Sequence, residues 1–214
     1  LPNGQRLTVR AGGQDHIVNL PLAGAFQAAN ALAAAGLCIA AGEDVATTLA
    51  ALEHLRGAAG RLQLVGSKAS GGEVYVDYAH TPDGLQTVLE ALRPHTVGRL
   101  IVVFGAGGDR DRTKRPLMGE IAARLADVAI VTDDNPRSED PASIRAAILA
   151  AAPGALEVGD RHLAIQQAVG LLGEGDVLVI AGKGHEQGQT IAGVVHPFDD
   201  VSEAAGALGL EPVA

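Results

Sequence analysis

The feature that most constrains the fold is the regular alternation of apolar runs with helical patterns from residue 73 onward. The apolar runs are continuous, which is typical of strands that are buried on both faces. Strands that alternate with helices indicate a parallel, doubly wound sheet, so we predict an α/β fold. The predicted strands are 73–79, 99–105, 127–133, 156–158 and 176–182, and the predicted helices are 82–93, 116–126, 141–151 and 161–173.

The opening residues follow a different pattern. Residues 1–20 predict a β-hairpin that turns at a Gly-Gly pair, and residues 24–41 and 44–55 predict two helices. This portion is too small to be a complete α/β domain, so we expect it to be the end of one. Residues 56–61, "RGAAGR", are predicted to form a linker.

The last part of the chain is predicted to add an edge hairpin and a final helix. The hairpin is expected at residues 190–198, "TIAGVVHPF". The helix is expected to begin near Asp200, where "DVSE" fits a capping box. In such a box the first side chain accepts a hydrogen bond from a backbone N–H three residues later, which fixes the start of the helix.

Composition and charge exclude several classes of function. The net charge is −9, which disfavours a nucleic-acid surface because phosphate binding needs a basic footprint. A single cysteine, Cys38, excludes an internal disulfide and suits the reducing cytoplasm, and we predict that it is buried. Residues 22–42 are uncharged but rich in Ala and Gly, and they lack flanking basic anchors. We therefore predict a buried helix there, not a membrane span.

Function is expected at the carboxyl ends of the predicted strands, because ligands of open α/β sheets bind there. Four segments at these ends are dense in glycine and polar residues. They are "DYAHTPD" (77–83), "GAGGDRDRTKR" (105–115), "TDDNPRSED" (132–140) and "AGKGHE" (181–186).

Several familiar site patterns do not fit these segments. The dinucleotide fingerprint needs Gly or Ala at its third position, where this chain has Arg110, so NAD is disfavoured. No segment matches the P-loop, and no G-x-S-x-G elbow indicates a Ser-His-Asp hydrolase. The spacing of the histidines and the lone cysteine predicts no zinc site.

The charged residues of two segments predict recognition of charged groups. Arg110 belongs to a basic cluster that is either a receiver for carboxylate or phosphate or a solvated loop. Arg137 can bind a carboxylate through two donors, while its acidic neighbours can hold an ammonium group, which suits an amino acid. The alternative for Arg137 is an internal Arg–Asp bridge that closes the turn.

In the segment 77–83, some residues have a structural explanation and others do not. Thr81 is a natural N-cap and Pro82 suits the first turn of a helix, with Asp83 complementing the helix dipole. Asp77 and His80 lack such an explanation, so we regard them as candidate functional residues.

Taken together, the motifs resemble those of the Mur ligases, ATP-dependent enzymes that add amino acids to the peptidoglycan precursor. "GRLQLV", "VDYAHTPDGL", "VFGAGGDRDRTKRPLMG", "VTDDNPRSEDP" and "VIAGKGHEQGQ" occur in the order and spacing of the diaminopimelate-adding (MurE) type. The resemblance implies that residues 57–214 form the family's Rossmann-like C-terminal domain and that 1–56 end its central ATP-binding domain. The family's P-loop, magnesium ligands and UDP-sugar domain precede this region, so we expect a C-terminal part that does not catalyse alone.

The resemblance also implies an ADP-forming reaction. ATP, with Mg²⁺, phosphorylates the D-glutamate carboxylate of UDP-MurNAc-L-Ala-D-Glu, and the amine of meso-diaminopimelate attacks the acyl phosphate. By motif matching, the expected amino-acid site is Arg110, Asp134, Asn135, Pro136, Arg137, Gly182 and Glu186. The expected ATP site is Asn30, Arg61, Asp77 and His80, with His80 in an auxiliary role and no further catalytic residue or metal ligand. In "GAFQAAN", Asn30 matches the family's second asparagine, while Gln27 replaces the first.

Arg137 favours diaminopimelate over lysine as the amino acid. Diaminopimelate has a second carboxylate on its far carbon, and a site built to pair a charge penalises a ligand that lacks it. The alternatives are a lysine-adding Mur ligase, a relative of folylpolyglutamate synthase, or a stand-alone Rossmann-like nucleotide-binding module. We expect a cytoplasmic monomer with no nucleic-acid partner and no membrane insertion.

Overall fold

The computed structural model describes residues 4–210, and the chain divides into two compact units between Ala58 and Ala59. The first unit contains β1 (Gln5–Ala11), β2 (Gln14–Leu20), α1 (Ala25–Ala40) and α2 (Val45–Ala51), which a 3-10 turn at Leu52–His54 extends. The strands of the second unit are β3 (Gln63–Ser67), β4 (Glu73–Asp77), β5 (Leu100–Phe104), β6 (Val128–Val131), β7 (Leu156–Glu157), β8 (Val177–Ala181), β9 (Gly188–Ile191) and β10 (Val194–Pro197). Its helices are α3 (Pro82–Leu92), α4 (Lys114–Leu125), α5 (Pro141–Leu149), α6 (Arg161–Leu171) and α7 (Asp200–Leu208), with a 3-10 turn at Arg93–His95.

The first unit is a hairpin packed on two helices, and the predicted hairpin is confirmed. Strands β1 and β2 pair antiparallel around the Gly-Gly turn, where both glycines have positive φ. Asp44 caps α2 by accepting a hydrogen bond from the backbone N–H of Thr47. The apolar core of this unit comprises Val18, Leu20, Ala28, Ala31, Ala35, Leu49 and Leu52.

The prediction that α1 and Cys38 are buried is wrong for the unit as described. Only one face of α1 is buried, through Gln27 and three alanines. Leu37 is 73% exposed and Cys38 is also exposed. The physical reason is that the hairpin and α2 pack against one side of a helix that has apolar residues on every side. Among residues 4–210, the helices are too short or too polar to cross a membrane.

The second unit contains the predicted parallel sheet. Its six strands have the order β3-β4-β8-β5-β6-β7, and every neighbouring pair is parallel except β3 with β4. Strands β5 and β8 are completely buried, as expected for a sheet with helices on both faces. The fold is therefore α/β with a mostly parallel sheet, and the carboxyl ends of β4, β5, β6 and β8 meet at one edge.

Strand β3 was not predicted, because its sequence departs from a regular strand. "QLVGS" contains Gly66, and the pairing with β4 shifts in register between Leu64 and Gly66. Glycine within a strand often marks such a bulge, which interrupts the alternation of buried and exposed residues.

Two further predictions for the end of the chain need correction. Strands β9 and β10 form the predicted hairpin, but as a separate two-stranded sheet that does not extend the large sheet. Ile191 of β9 also forms an isolated parallel bridge with Arg137. The cap of α7 is Asp199, which accepts a hydrogen bond from the Ser202 N–H, and not Asp200. Asp200 is fully buried, where it forms an ion pair with the buried guanidinium of Arg161.

Candidate functional site

The carboxyl ends of four strands surround a cleft of about 450 Å³ in the second unit. Each of the four polar segments singled out in the sequence contributes to its wall. The lining residues are Tyr78, His80, Thr81, Pro82, Gly107, Arg110, Asp111, Lys114, Asp134, Asn135, Arg137, Gly182 and Glu186.

The glycines after β5 allow the loop at 105–110 to pack directly on the loop at 132–137. A Cβ atom on Gly105 would lie 2.3 Å from the carbonyl oxygen of Thr132, and one on Gly108 would lie 2.0 Å from that of Pro136. The Gly108 N–H donates to the carbonyl of Asn135 at 2.9 Å. These glycines therefore permit close backbone contact between two loops of the site.

Arg137 is held at the cleft by both its backbone and its side chain. Its backbone φ is 54°, a conformation that non-glycine residues rarely adopt. Its N–H donates to the Thr190 carbonyl, and its own carbonyl accepts from the Ala192 N–H, so the turn is fixed against β9. The side-chain Nη1 donates to the carbonyls of Gly108 at 2.8 Å and Asn135 at 3.4 Å.

The alternative interpretation of this segment, an internal Arg–Asp bridge at Arg137, is not found among the described residues. Asp133 forms an ion pair with Arg145 instead, and Arg145 also pairs with Glu157. Asp134 lies 3.5 Å from the ammonium group of Lys183. The guanidinium of Arg137 therefore lines the cleft, while the adjacent carboxylates of Asp133 and Asp134 lie against Arg145 and Lys183.

Two carboxylates that line the cleft, Asp134 and Glu186, are connected by Asn135. The Asn135 Nδ2 donates to Glu186 Oε2 at 3.1 Å and lies 3.5 Å from Asp134 Oδ1. Asp134 and Asn135 are buried, whereas Glu186 is partly exposed. The cleft is thus lined by the carboxylates of Asp111, Asp134 and Glu186 and by cationic side chains at Arg110, Lys114 and Arg137.

Asp77 has a structural role that the sequence did not reveal, so the statement that it lacks one is wrong. Its buried carboxylate accepts hydrogen bonds from the backbone N–H groups of Leu62 at 2.7 Å and Ala79 at 2.8 Å. Burial raises the pKa of the Asp77 carboxyl, although these N–H groups and the charge of Arg61 oppose the rise. Asp77 does not line the cleft.

Tyr78 is the centre of a small group of rings and cations beside the cleft. Its ring centroid lies 4.5 Å from that of His80 and 5.4 Å from that of His185, and the Arg61 guanidinium carbon lies 5.1 Å from it. The Nδ1 of His80 lies 2.9 Å from the Tyr78 carbonyl. Arg61 is therefore near the cleft wall without lining it.

The basic cluster of residues 110–115 serves two purposes. Arg112 and the buried Arg115 form ion pairs with Glu139, which holds the loop in place. Arg110 and Lys114 line the cleft, and Lys114 Nζ donates to the His80 carbonyl at 2.9 Å. Partial burial lowers the pKa of the Lys114 ammonium group. The solvated-loop interpretation is thus incorrect for Arg115, whose side chain is buried.

The structure brings together most, but not all, of the residues predicted for a site. Pro136 is buried next to the lining residues, and Asn30 lies on the exposed side of α1 in the first unit. Tyr78 was missed, because nothing in its local sequence distinguishes it from an ordinary loop residue, whereas Lys114 was predicted only as a member of the basic cluster. The predicted residues that line the cleft are His80, Arg110, Asp134, Asn135, Arg137, Gly182 and Glu186.

Comparison with known proteins identifies the family to which this arrangement of loops belongs. Residues 60–184, more than half of the chain, match the family model described as Mur ligase, glutamate ligase domain. The chain belongs to the Mur ligase family. The predicted resemblance to this family is confirmed.

The Mur ligase chain is similar to curated relatives named UDP-N-acetylmuramoyl-L-alanyl-D-glutamate–2,6-diaminopimelate ligase. It is 76% identical over 207 residues to the Caulobacter vibrioides protein and 63% identical over 204 residues to the Mesorhizobium japonicum protein. These matches cover 97% and 95% of this chain but only 43% and 42% of the relatives. The chain therefore spans less than half the length of the curated relatives it matches.

A solved structure of a diaminopimelate ligase has the same fold over nearly the whole chain. The TM-score is 0.76 at 41% sequence identity, and the match covers 95% of this chain and 42% of that one. The predicted α/β architecture is thus shared with a solved member of the Mur ligase family.

Proposed function

We propose that this Mur ligase chain is the amino-acid-binding part of an ATP-dependent ligase that adds meso-diaminopimelate to UDP-MurNAc-L-Ala-D-Glu during peptidoglycan synthesis. The names of the similar curated relatives support this activity. The proposal assigns residues 1–56 to the end of the central ATP-binding domain and residues 57–214 to the C-terminal domain. The proposed location is the cytoplasm, and the proposed oligomeric state is a monomer.

The observation that carries the proposal is that cationic and anionic side chains line the same cleft. Arg137 and Arg110 face it as cations, while Asp134 and Glu186 face it as carboxylates. Diaminopimelate carries a carboxylate and an ammonium group at each end, so its far end requires both kinds of partner. A guanidinium matches a carboxylate through two parallel hydrogen bonds, which a lysine substrate would leave unmade.

In the proposed reaction, the protein's main task is to hold two reactants next to each other. The D-glutamate carboxylate of the precursor takes the terminal phosphoryl group of ATP, which releases ADP and gives an acyl phosphate. The amine of diaminopimelate attacks the acyl carbon, the C–N bond forms as the C–O bond to phosphate breaks, and the amine loses a proton. Fixing the amine near the acyl carbon lowers the barrier, because the reactants no longer lose translational freedom.

Of the residues proposed to contact ATP, some are better placed for that role than others. Arg61 and His80 surround Tyr78 close to the cleft, and they supply a cation and ring faces that suit a nucleotide. Asn30 and Asp77 complete the proposed set, although Asp77 already accepts two backbone hydrogen bonds. Among residues 4–210, no group of three or more His, Cys, Asp or Glu side chains suits a metal ion, so we assign Mg²⁺ no ligand there.

The first test is the affinity of the intact protein for meso-diaminopimelate, measured by isothermal titration calorimetry. Arg137→Ala is expected to weaken binding by about 10-fold to 100-fold, because a hydrogen-bonded charge contributes roughly 1.5–3 kcal/mol. Arg124→Ala on the exposed side of α4 is the matched control and is expected to bind normally.

A panel of amino acids in the same experiment distinguishes the alternative ligases. Binding of L-lysine or L-glutamate in preference to diaminopimelate would identify a lysine-adding or a folylpolyglutamate-type enzyme. Unchanged affinity and unchanged discrimination against lysine in Arg137→Ala would refute the role given to this arginine.

A further inference from the structure

Lys183 is a buried cation between the loop that carries Asp134, after β6, and the loop that carries Glu186, after β8. It follows β8 with one residue between, and its side chain is completely buried. Its Nζ donates to the Gly188 carbonyl at 2.8 Å and to Asn135 Oδ1 at 3.1 Å, and it lies 3.5 Å from Asp134 Oδ1. Lys183 does not line the cleft, but two of the residues that it contacts, Asp134 and Asn135, do.

The contacts of Lys183 decide which way the Asn135 carboxamide points. Asn135 Oδ1 also accepts a hydrogen bond from the Thr190 N–H at 2.9 Å. Both partners are donors, and a flipped carboxamide would place its NH₂ group against them. The oxygen must therefore face inward, and the NH₂ group is directed at Glu186 Oε2, 3.1 Å away.

We propose that Lys183 is a positioning residue that sets the donor and acceptor pattern of the amino-acid-binding loop. It fixes the orientation of the Asn135 carboxamide, and it places a positive charge behind Asp134. Through these two residues it determines where Glu186 is held and which hydrogen bonds the cleft offers to a ligand. This inference rests on the proposed function for the identity of the ligand.

Lys68 provides a matched control, because it makes similar contacts far from the cleft. Its Nζ donates to the carbonyls of Val169, Gly170 and Leu172 at the end of α6. The carboxyl end of α6 lies at the opposite edge of the sheet, since the helix runs antiparallel to the strands. Replacing either lysine removes one ammonium group that binds several oxygens, but only Lys183 contacts the site.

The main experiment compares Lys183→Met and Lys68→Met in the intact protein by calorimetric titration with meso-diaminopimelate and by thermal unfolding. Both variants are expected to unfold at lower temperature. Only Lys183→Met is expected to lose affinity, by at least about tenfold. Wild-type affinity in a folded Lys183→Met protein, or an equal loss in Lys68→Met, would overturn the proposal.

Asn135→Asp tests the same inference without removing the buried charge. The aspartate keeps oxygen acceptors for Lys183 and Thr190, so the variant is expected to fold. It loses the NH₂ group toward Glu186 and is expected to bind diaminopimelate at least about tenfold more weakly. Retained affinity would overturn the proposal even if Lys183→Met failed to fold.

Hydrogen exchange of the Asn135 side-chain amide separates this inference from the proposed function. In NMR spectra of the wild-type protein without ligand, these protons are expected to exchange slowly, and in Lys183→Met they are expected to exchange faster. Equal exchange rates would refute the positioning role whatever the protein binds. If the wild-type protein binds no diaminopimelate but the rates differ, the proposed function fails and the positioning of Asn135 stands.

Discussion

Asp77 shows how one residue can connect separate parts of a fold. Its two carboxylate oxygens accept hydrogen bonds from the N–H groups of Leu62, before β3, and Ala79, after β4. The Tyr78 N–H in turn donates to the Gly60 carbonyl at 2.8 Å. The segment that enters the second unit is thus fixed directly to the loop that carries His80.

Replacing Asp77 by Asn is therefore expected to destabilise the protein. The carboxamide has only one oxygen, so one of the two backbone N–H groups would face an NH₂ group. Leaving a buried donor without a partner costs about 1–3 kcal/mol in the free energy of unfolding, which denaturant titration measures. The exposed substitution Glu120→Gln is the control, expected within about 0.5 kcal/mol of wild type.

The same variant tests the proposed ATP contact of Asp77. Wild-type stability together with a loss of ATP affinity in the intact protein would show that Asp77 acts on the ligand. A loss of stability with normal ATP affinity would restrict Asp77 to the structural role described above.

At the scale of single residues, a site residue could be predicted from the sequence only where it belongs to a distinctive local motif. Arg137 was singled out because a guanidinium beside an Asn-Pro turn at a strand end suits a carboxylate, whereas Glu186 was assigned by motif matching to the Mur ligase family. Tyr78, Lys114 and Lys183 each also contact a residue more than thirty positions away, His185, His80 and Asn135 respectively, and no local pattern encodes these contacts. Lys183 was noticed in the sequence, but its burial against Asn135 was not predictable.

At the scale of elements, α4 and α5 approach each other closely at Gly119. A Cβ atom there would lie 2.3 Å from the carbonyl oxygen of Ile148 in α5. The carbonyl belongs to the backbone and cannot rotate away as a flexible side chain would. The two helices must therefore separate if any larger residue replaces this glycine.

Gly119→Ala is expected to lower the free energy of unfolding by about 1–3 kcal/mol, as overpacking of a close contact does. Gly170→Ala on α6 is the matched variant, because a Cβ atom there has no neighbour within 4 Å. It is expected to raise stability by up to about 1 kcal/mol, since alanine favours a helix over glycine. Equal effects of the two substitutions, measured by denaturant titration, would contradict this account of helix packing.

The elements themselves were largely predictable from sequence, because buried parallel strands and capped helices leave strong local signals. Thr81 caps α3, with Pro82 in its first turn, as predicted. The signal failed where tertiary contacts decided the outcome. Asp200 resembled a helix cap in sequence, but the buried pairing with Arg161 takes its carboxylate, and Asp199 caps the helix instead.

At the scale of the second unit, the charged residues at the carboxyl ends of the strands and those at the amino ends have different roles. The carboxyl edge holds the cleft, whereas carboxylates at the amino edge connect neighbouring strands. Asp176, before β8, accepts hydrogen bonds from the side chain and N–H of Arg99 and from the Gly173 N–H. Burial alone would raise the pKa of the Asp176 carboxyl, but these hydrogen bonds outweigh it and lower the pKa to about 2.

This lowered pKa predicts how the protein responds to acid. The carboxylate stabilises the fold fully above its unfolded pKa of 3.8, and the contribution is lost as the pH falls toward the folded pKa of about 2. In Asp176→Asn, the fall in the free energy of unfolding between pH 4 and 2 is expected to be smaller by about 1–2 kcal/mol. Parallel pH profiles of the variant and the wild type, from denaturant titrations, would refute this prediction.

The position of β8 has a consequence for the order in which the fold can be assembled. Strand β8 is the last strand of the large sheet to be synthesised, yet it lies between β4 and β5. Until residue 181 leaves the ribosome, those two strands have no neighbour at the centre and expose unpaired edges, which are prone to wrong pairing. Joining β4 to β8, whose paired residues are 104 positions apart in sequence, is intrinsically slow, because a long loop must close before its contacts form. We therefore expect the cleft, whose wall includes Gly182 and Glu186 after β8, to be completed only when β8 has paired.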